Sequence, residues 1–152
     1  MGEINLVGGC QCGAVRFRAD AEPEAANVCH CRMCQKASGQ PFMTFARVEN
    51  AHFAITKGAL SVFRSSDIAE RGFCSVCGTP LTWRNVTSDR TSFAICALDD
   101  PSVIAPTGQL AADAAVPWLW AALATDNVPL DAWLQEKHIE DVGSRQHPDR
   151  DI

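Results

Sequence analysis

Long hydrophobic runs are missing from this 152-residue sequence. A membrane-spanning helix needs roughly 18 to 20 consecutive apolar residues, and the longest candidate, residues 116–124, is far too short and contains Pro117. The sequence therefore predicts no membrane partner. The first residues also lack the basic start and apolar stretch of a secretory signal. We accordingly expect a cytoplasmic location, where cysteine thiols stay reduced.

An excess of positive charge is also missing. Lys and Arg together number 13 against 18 Asp and Glu, which gives a formal net charge of −5. The sequence has no basic stripe with interleaved aromatic residues. Because nonspecific binding to nucleic acid depends on Lys and Arg neutralising phosphates, an acidic chain disfavours it. The sequence therefore predicts no nucleic-acid partner.

Cysteine, by contrast, is abundant and clustered. Seven of the eight cysteines fall into three tight groups: Cys10 and Cys12; Cys29, Cys31 and Cys34; and Cys74 and Cys77. Spacings of one or two residues suit metal ligands, with disulfides as the rival interpretation. A structural zinc takes four protein ligands, whereas a catalytic zinc keeps three and leaves one position open. Four plus three cysteines therefore indicate one closed site, one open site and an enzyme.

The remaining pattern is that of a mostly antiparallel β protein. Short segments with period-two alternation, separated by Gly, Asn and Ser, predict strands. We place them at residues 4–8, 14–19, 26–29, 42–48, 53–57, 60–64, 68–73, 80–84 and 91–98. Residues 99–108 are predicted to form a loop. Helical spacing occurs only late, at residues 118–123 and 130–137. We expect these two helices to cover the sheet.

The length suits one domain with one core. We expect a single zinc-binding β domain over residues 1–142, with short C-terminal helical segments. The polar residues 143–152, which include Pro148, are expected to form a flexible tail.

The first and third cysteine groups are predicted to share one metal. Cys10 and Cys12 lie two residues apart, so in a strand both point to the same face. Cys74 and Cys77 have the spacing of a zinc knuckle, and Gly78 permits the positive φ that such a loop often needs. These four cysteines are expected to form a structural site that ties the first hairpin to the strand before Cys74.

The middle group lacks a fourth cysteine nearby. Its open position could take water, a substrate thiolate or a side chain such as His30 or His52. Cys96 could instead close the site, although its segment, residues 92–98, is apolar on both faces and favours a buried, non-ligating cysteine. Cations that could offset the charge of a bound thiolate are Arg32, Lys36, Arg47, Arg64 and Arg71, and the sequence does not rank them.

These cysteine motifs, in this order, resemble the glutathione-dependent formaldehyde-activating enzymes, a family that also includes centromere protein V. The matching segments lie within roughly residues 5–110: residues 8–15, 29–36, 63–66, 71–81 and 98–101. The resemblance implies a β-tent fold of small antiparallel sheets. It also implies two zinc ions per chain, a structural one on Cys10, Cys12, Cys74 and Cys77 and a catalytic one on Cys29, Cys31 and Cys34.

The activity implied by the resemblance is that of a carbon-sulfur lyase. The second zinc would take up the glutathione sulfur, and the thiolate would add to formaldehyde to give S-hydroxymethylglutathione. The partners are then a small thiol, with glutathione expected, and a small aldehyde. One departure concerns Gln109-Leu110, where family members often carry His-Ile. The alternatives are the same fold acting on another thiol and aldehyde pair, or a non-catalytic zinc-binding interaction module.

Overall fold

Two β-sheets make up the fold in the computed structural model, which describes residues 4–150. The smaller sheet contains, in order, β1 (Leu6–Gly9), β2 (Arg16–Ala19) and β5 (Phe53–Lys57). The larger sheet contains, in order, β10 (Gly108–Leu110), β3 (Ala25–Cys29), β4 (Met43–Glu49), β9 (Arg90–Ala94), β8 (Pro80–Asn85), β7 (Ala69–Phe73) and β6 (Ser61–Ser66). This confirms the mostly β fold.

The pairings are antiparallel except that between β10 and β3, which is parallel. Strand β10 falls at the end of the segment predicted as a loop, which also contains a 3-10 turn at Pro101–Val103. A three-residue strand carries too little alternation to be detected, and it forms only because β3 offers its edge. The loop prediction was therefore wrong at this end.

Three α-helices accompany the sheets within the described residues: α1 (Arg32–Ser38), α2 (Leu119–Leu123) and α3 (Leu130–Glu136). The two late helices lie where helical spacing predicted them. The expectation that helices occur only late was wrong, because α1 follows the middle cysteine group. Within residues 4–150 no helix combines the length and apolar character required to cross a membrane.

The late helices cover the sheet only slightly. Helix α2 buries Leu119, which is 2% exposed, whereas α3 has no buried residue. Trp118, Trp120 and Trp133 are all exposed. Helix α2 therefore covers the sheet through a single buried side chain, Leu119. The prediction that both late helices cover the sheet was wrong for α3.

A cluster of three phenylalanines joins the two sheets in the core. The ring of Phe17 on β2 lies 5.4 Å from that of Phe53 on β5 and 5.6 Å from that of Phe93 on β9. Phe17 and Phe93 are fully buried, and Cys10 and Cys74 belong to the same buried cluster. The first and third cysteine groups therefore adjoin the main core.

Arg16 breaks the alternation of its strand. The pattern of β2 predicts that Arg16 faces water, but the residue is 4% exposed. Its guanidinium forms a two-pronged contact with Asp99, in which Nη1 donates to Oδ1 at 2.7 Å. This ion pair ties β2 to the segment that follows the 3-10 turn Ile95–Ala97. The buried arginine is tolerated because its charge is paired.

Removing the acidic partner of this pair should destabilise the fold. We expect Asp99→Asn to lower the free energy of unfolding by about 1.5–3 kcal/mol, because it removes the carboxylate that the buried Arg16 guanidinium contacts through both of its terminal nitrogens. Urea unfolding measures the change. The control is Asp20→Asn, whose ion pairs with Arg18 and His52 are exposed and should contribute about 1 kcal/mol or less. Equal losses for the two variants would contradict the prediction.

The polar C-terminal segment contacts the first cysteine group. The backbone N–H of His147 donates to the carbonyl oxygen of Gln11 at 2.7 Å. Gly13 has a φ of +74° and packs against the His147 ring so closely that a Cβ there would lie 2.1 Å from a ring carbon. The flexibility of this segment stays a prediction, and residues 151–152 lie outside the described part of the chain.

Candidate metal centres

Four thiols converge where the two sheets meet. Cys10 and Cys12 follow β1, while Cys74 and Cys77 lie between β7 and β8. Their Sγ atoms all lie within 4.8 Å of one another. The Sγ atoms of Cys10 and Cys12 are 3.6 Å apart, and those of Cys12 and Cys74 are 3.9 Å apart. The structure thus brings together the two groups predicted to share a metal.

Two similar turns present these thiols. Gly13 N donates to the Cys10 carbonyl oxygen at 3.0 Å, and Gly78 N donates to that of Cys74 at 2.9 Å. Both glycines have positive φ, near +74° and +78°, which other residues adopt only with strain. Each turn therefore depends on its glycine to aim the preceding thiols inward.

The spacing of these sulfurs fits a tetrahedral metal. Zinc–sulfur bonds of about 2.3 Å place tetrahedral sulfurs about 3.8 Å apart, which agrees with the two separations above. A disulfide would need sulfurs at about 2.05 Å, and all eight cysteines are free. The rival interpretation of disulfides was therefore wrong, and this cluster could hold a metal ion.

Hydrogen bonding favours the ionised form of one thiol in this cluster. Burial alone would raise the pKa of Cys77, but hydrogen bonds from Thr79 outweigh it and lower the pKa to about 6. The Thr79 hydroxyl lies 3.2 Å from Cys77 Sγ. Because a thiolate is the metal-binding form of cysteine, Thr79 prepares Cys77 for ligation.

A second cluster contains the three thiols of Cys29, Cys31 and Cys34, whose Sγ atoms also lie within 4.8 Å of one another. Cys29 ends β3, Cys31 is the N-cap residue of α1, and Cys34 lies within that helix. Helix α1 ends at Ser38 and is capped by Gly39, which has a φ of +69°. The helix that the sequence analysis missed is therefore the element that folds Cys34 back toward Cys29.

The environments of two thiols in this cluster differ. Burial opposes ionisation of Cys31, but backbone N–H groups at the start of α1 and the Cys29 side chain outweigh it, so the pKa of Cys31 is lowered. Burial raises the pKa of Cys34 to about 12, although Arg71 acts in the opposite direction. Cys31 is thus the more readily ionised of the two.

Arg71 lies directly beside this cluster. Its Nη2 donates to Cys34 Sγ at 3.4 Å, and its Nη1 lies 3.9 Å from Met43 Sδ. The residue is 8% exposed, and no carboxylate among residues 4–150 forms a salt bridge with it. A buried guanidinium is costly without an anionic partner. Arg71 therefore stabilises negative charge on the adjacent sulfur atoms, which opposes the effect of burial on Cys34.

A cavity of about 290 Å³ adjoins the three thiols and Arg71. Its wall also includes Phe45, Trp83 and Arg47. Sequence reasoning could not rank the five candidate cations, because their distances from the thiols depend on strand pairing. The structure places Arg47 and Arg71 on the cavity wall, whereas Arg64 is exposed and pairs with Glu70.

Cys96 does not join the three thiols. The predicted strand ends at Ala94, and Cys96 lies in the following 3-10 turn, exposed, with its Sγ 3.7 Å from the Thr44 hydroxyl. The expectation of a buried cysteine was wrong because the chain leaves the sheet here. Among the described residues, the second cluster therefore consists of the thiols of Cys29, Cys31 and Cys34 and does not include Cys96.

The buried His30 side chain is not part of the three-thiol cluster and contacts other residues. Its ring is 1% exposed and packs edge-on against Phe42 and Trp120. Its Nε2 lies 3.0 Å from Gln109 Oε1. His52 instead pairs with Asp20 at 2.8 Å on the surface. The histidine candidates for the fourth position are therefore engaged elsewhere.

The pairing of His30 with Gln109 is a contact that sequence reasoning missed. Gln109 lies on β10, next to Val28 of β3, so its approach to His30 depends on the parallel pairing. The one available signal was the departure from the family pattern at this position. Here Gln109 serves as a hydrogen-bond partner of His30.

Comparison with known proteins identifies one family. Residues 5–113 match the family described as glutathione-dependent formaldehyde-activating enzyme. The chain is 34% identical over 74 residues to an "uncharacterized lyase" of Schizosaccharomyces pombe, covering 49% of this chain and 53% of that protein. It is 33% identical over 84 residues to a "putative glutathione-dependent formaldehyde-activating enzyme" of Halomonas elongata, covering 50% and 54%. The chain thus spans about half the length of these curated relatives.

The fold is also found among solved structures. A crystal structure of a Rhodobacter sphaeroides protein superimposes with a TM-score of 0.55 at 19% identity, covering 68% of this chain and 98% of that one. At this level of identity the similarity supports the fold alone.

Proposed function

Because the chain belongs to the glutathione-dependent formaldehyde-activating enzyme family, we propose that it is a zinc-dependent carbon-sulfur lyase-type enzyme. Its reaction would be the reversible addition of glutathione to formaldehyde, giving S-hydroxymethylglutathione. The observation that carries the proposal is the three-thiol cluster of Cys29, Cys31 and Cys34, which adjoins a cavity and lies beside the buried cation Arg71.

The two clusters are assigned different roles. Cys10, Cys12, Cys74 and Cys77 would hold a structural zinc, because four thiols complete its tetrahedral shell. Cys29, Cys31 and Cys34 would hold a second zinc, with one position left for substrate. Zinc held by these three thiols would supply Lewis acidity, which would lower the pKa of a substrate thiol bound at the remaining position.

The reaction needs no redox partner. The thiol sulfur forms a bond to the carbonyl carbon of formaldehyde, the carbon–oxygen double bond becomes a single bond, and the thiol proton ends on the new hydroxyl. The reverse reaction breaks the carbon–sulfur bond and returns the proton to sulfur. The enzyme therefore has to favour the thiolate and hold it beside the aldehyde.

Residues of the chain itself would support that step. Three cysteine thiolates around a divalent ion carry one net negative charge, and Arg71 beside Cys34 offsets it. A substrate thiolate would then meet a site that is close to neutral, which would reduce the electrostatic cost of binding. Phe45 and Trp83 supply apolar wall to the same cavity, which limits access of water to the reacting sulfur.

NMR exchange spectroscopy of glutathione with formaldehyde tests the proposal. With zinc-loaded protein we expect exchange between free and hydroxymethylated glutathione to exceed the spontaneous rate. The control is the same protein with Cys96→Ser, which alters a cysteine outside both clusters and should behave as the unmodified chain. If neither protein accelerates the exchange, the named reaction is wrong for this chain, and other thiols can be compared in the same assay.

A further inference from the structure

One row of paired residues crosses the wall of the cavity. Arg71 pairs with Trp83, Trp83 pairs with Ser92, and Ser92 pairs with Arg47, through strands β7, β8, β9 and β4. Directly opposed residues of antiparallel strands project from the same face of a sheet. All four residues line the cavity, so its floor is this face of the larger sheet.

The row places two arginines at separate points of the floor. Adjacent strands lie about 4.8 Å apart, so three strand spacings put the Cα atoms of Arg71 and Arg47 about 14 Å apart. On β4, Met43 is the residue opposite Cys29. Arg47 lies four residues further along the same strand, which places it about 13 Å from Met43. Arg71 therefore lies at the thiol end of the cavity and Arg47 at the opposite end.

Arg47 is only loosely engaged within the protein. Its Nε lies 3.6 Å from Glu24 Oε2, and its side chain is 48% exposed. Glu24 makes closer contacts with Arg90, whose Nε lies 2.8 Å from Oε1 and 2.9 Å from Oε2. Arg90 also contacts Asp89 and Glu49, so its charge is shared among three carboxylates. The 3.6 Å contact of Arg47 with Glu24 is longer than a hydrogen bond, so the Arg47 guanidinium keeps donors available to a ligand in the cavity.

Neutral polar groups lie near Arg47 in the same wall. Asn27 lies opposite Phe45, which is two residues before Arg47 on β4 and therefore on the same face of the sheet. Ser92 lies directly opposite Arg47. A planar guanidinium flanked by amide and hydroxyl groups suits a carboxylate, which accepts hydrogen bonds from all three. This end of the cavity therefore has the chemistry of a carboxylate subsite.

We propose that Arg47 is a specificity-determining residue that binds a carboxylate of the thiol substrate while the sulfur lies at the cysteine cluster. This inference rests on the proposed function, because it takes the thiol to bind at Cys29, Cys31 and Cys34. The separation of the two ends selects the substrate class. A substrate that joins both ends needs its carboxylate well separated from its sulfur, and in a thiol peptide a carboxylate lies at least one peptide unit further from the sulfur than in free cysteine.

Binding of glutathione and its diethyl ester to the zinc-loaded full chain tests the assignment. Calorimetry should show that the unmodified protein binds glutathione more tightly than the ester, in which both carboxylates are masked. Arg47→Gln should weaken glutathione binding about 10- to 100-fold, the range for a lost charge-assisted hydrogen bond, and leave ester binding unchanged. Arg47→Lys should recover part of the loss, because a point charge replaces a two-pronged donor.

Arg90→Gln is the matched control, because Arg90 shares Glu24 with Arg47 but lies outside the residues that line this cavity. It should leave both affinities unchanged. Equal weakening by Arg47→Gln and Arg90→Gln would show an indirect effect through Glu24 and overturn the assignment. Equal weakening for glutathione and its ester, or failure of the unmodified protein to bind glutathione, would also overturn it.

The two proposals can fail separately. If glutathione binding depends on Arg47 but the protein does not accelerate exchange with formaldehyde, the carboxylate subsite stands and the named reaction is wrong. If exchange is accelerated but binding is insensitive to Arg47→Gln, the reaction stands and the subsite is wrong. Circular dichroism of each variant confirms that a change in affinity is not caused by unfolding.

Discussion

Cys74→Ser is expected to unfold the protein. Cys74 is fully buried and belongs to the core cluster. Its Sγ lies 3.9 Å from that of Cys12, a separation that suits two ligands of one zinc ion. Structural zinc contributes apparent binding energies of about 10–16 kcal/mol in small zinc-binding peptides, which is as large as the whole stability of a typical domain. Losing one of four ligands should therefore cost at least about 5 kcal/mol and lower Tm by about 10–20 °C or abolish the transition.

Thermal unfolding followed by circular dichroism measures this effect, with metal content determined on the same samples. Cys96→Ser is the matched control, since it makes the same replacement at an exposed cysteine outside both clusters. It should leave Tm within about 2 °C, as expected for a surface substitution. A Cys74→Ser protein that melts with the control would contradict the structural role of the four-thiol cluster.

Cys31→Ser is expected to separate function from folding. Cys31 occupies the N-cap position of α1, where serine is among the preferred residues, so the helix should still begin there. We expect Tm to change by no more than about 4 °C. Zinc content should fall from two ions per chain to one, and the exchange of glutathione with formaldehyde should return to the spontaneous rate, because two thiols do not hold the second ion.

Metal analysis, thermal unfolding and the NMR exchange assay together decide this prediction. Thr44→Ala, which alters a hydroxyl near Cys96 rather than near the three thiols, serves as a folded and active control. If Cys31→Ser melts as low as Cys74→Ser, the division into a structural and a catalytic cluster is wrong. If it keeps both ions, Cys31 is not a ligand.

Local spacing explains why much of the metal chemistry could be predicted. The one- and two-residue separations in Cys10/Cys12 and Cys74/Cys77 place each pair of thiols on one side of a turn, whatever the rest of the fold does. The count of four plus three then limits how the groups can combine. Strand alternation is local as well, which is why most strands lie within a few residues of their predicted positions.

Helix α1 and strand β10 could not be predicted in the same way. Helix α1 is short, carries Cys34 and Gln35 as its buried residues, and shows no extended apolar periodicity. Strand β10 has three residues and exists through its parallel pairing with β3. Cys96 was misplaced because an apolar segment reads as a continuous strand, and a turn after Ala94 leaves no mark in the alternation.

The sequence by itself determined that this protein is a β-rich, cysteine-clustered member of its family, because its ligand spacings and strand periods are properties of neighbouring residues. Only the tertiary structure decided which cations meet the thiols. Arg71 and Arg47 are 24 residues apart in the chain and share a cavity through the pairing of β7, β8, β9 and β4. Such pairing depends on contacts between distant segments, and it places one arginine at the thiols and the other at the opposite end of the same floor.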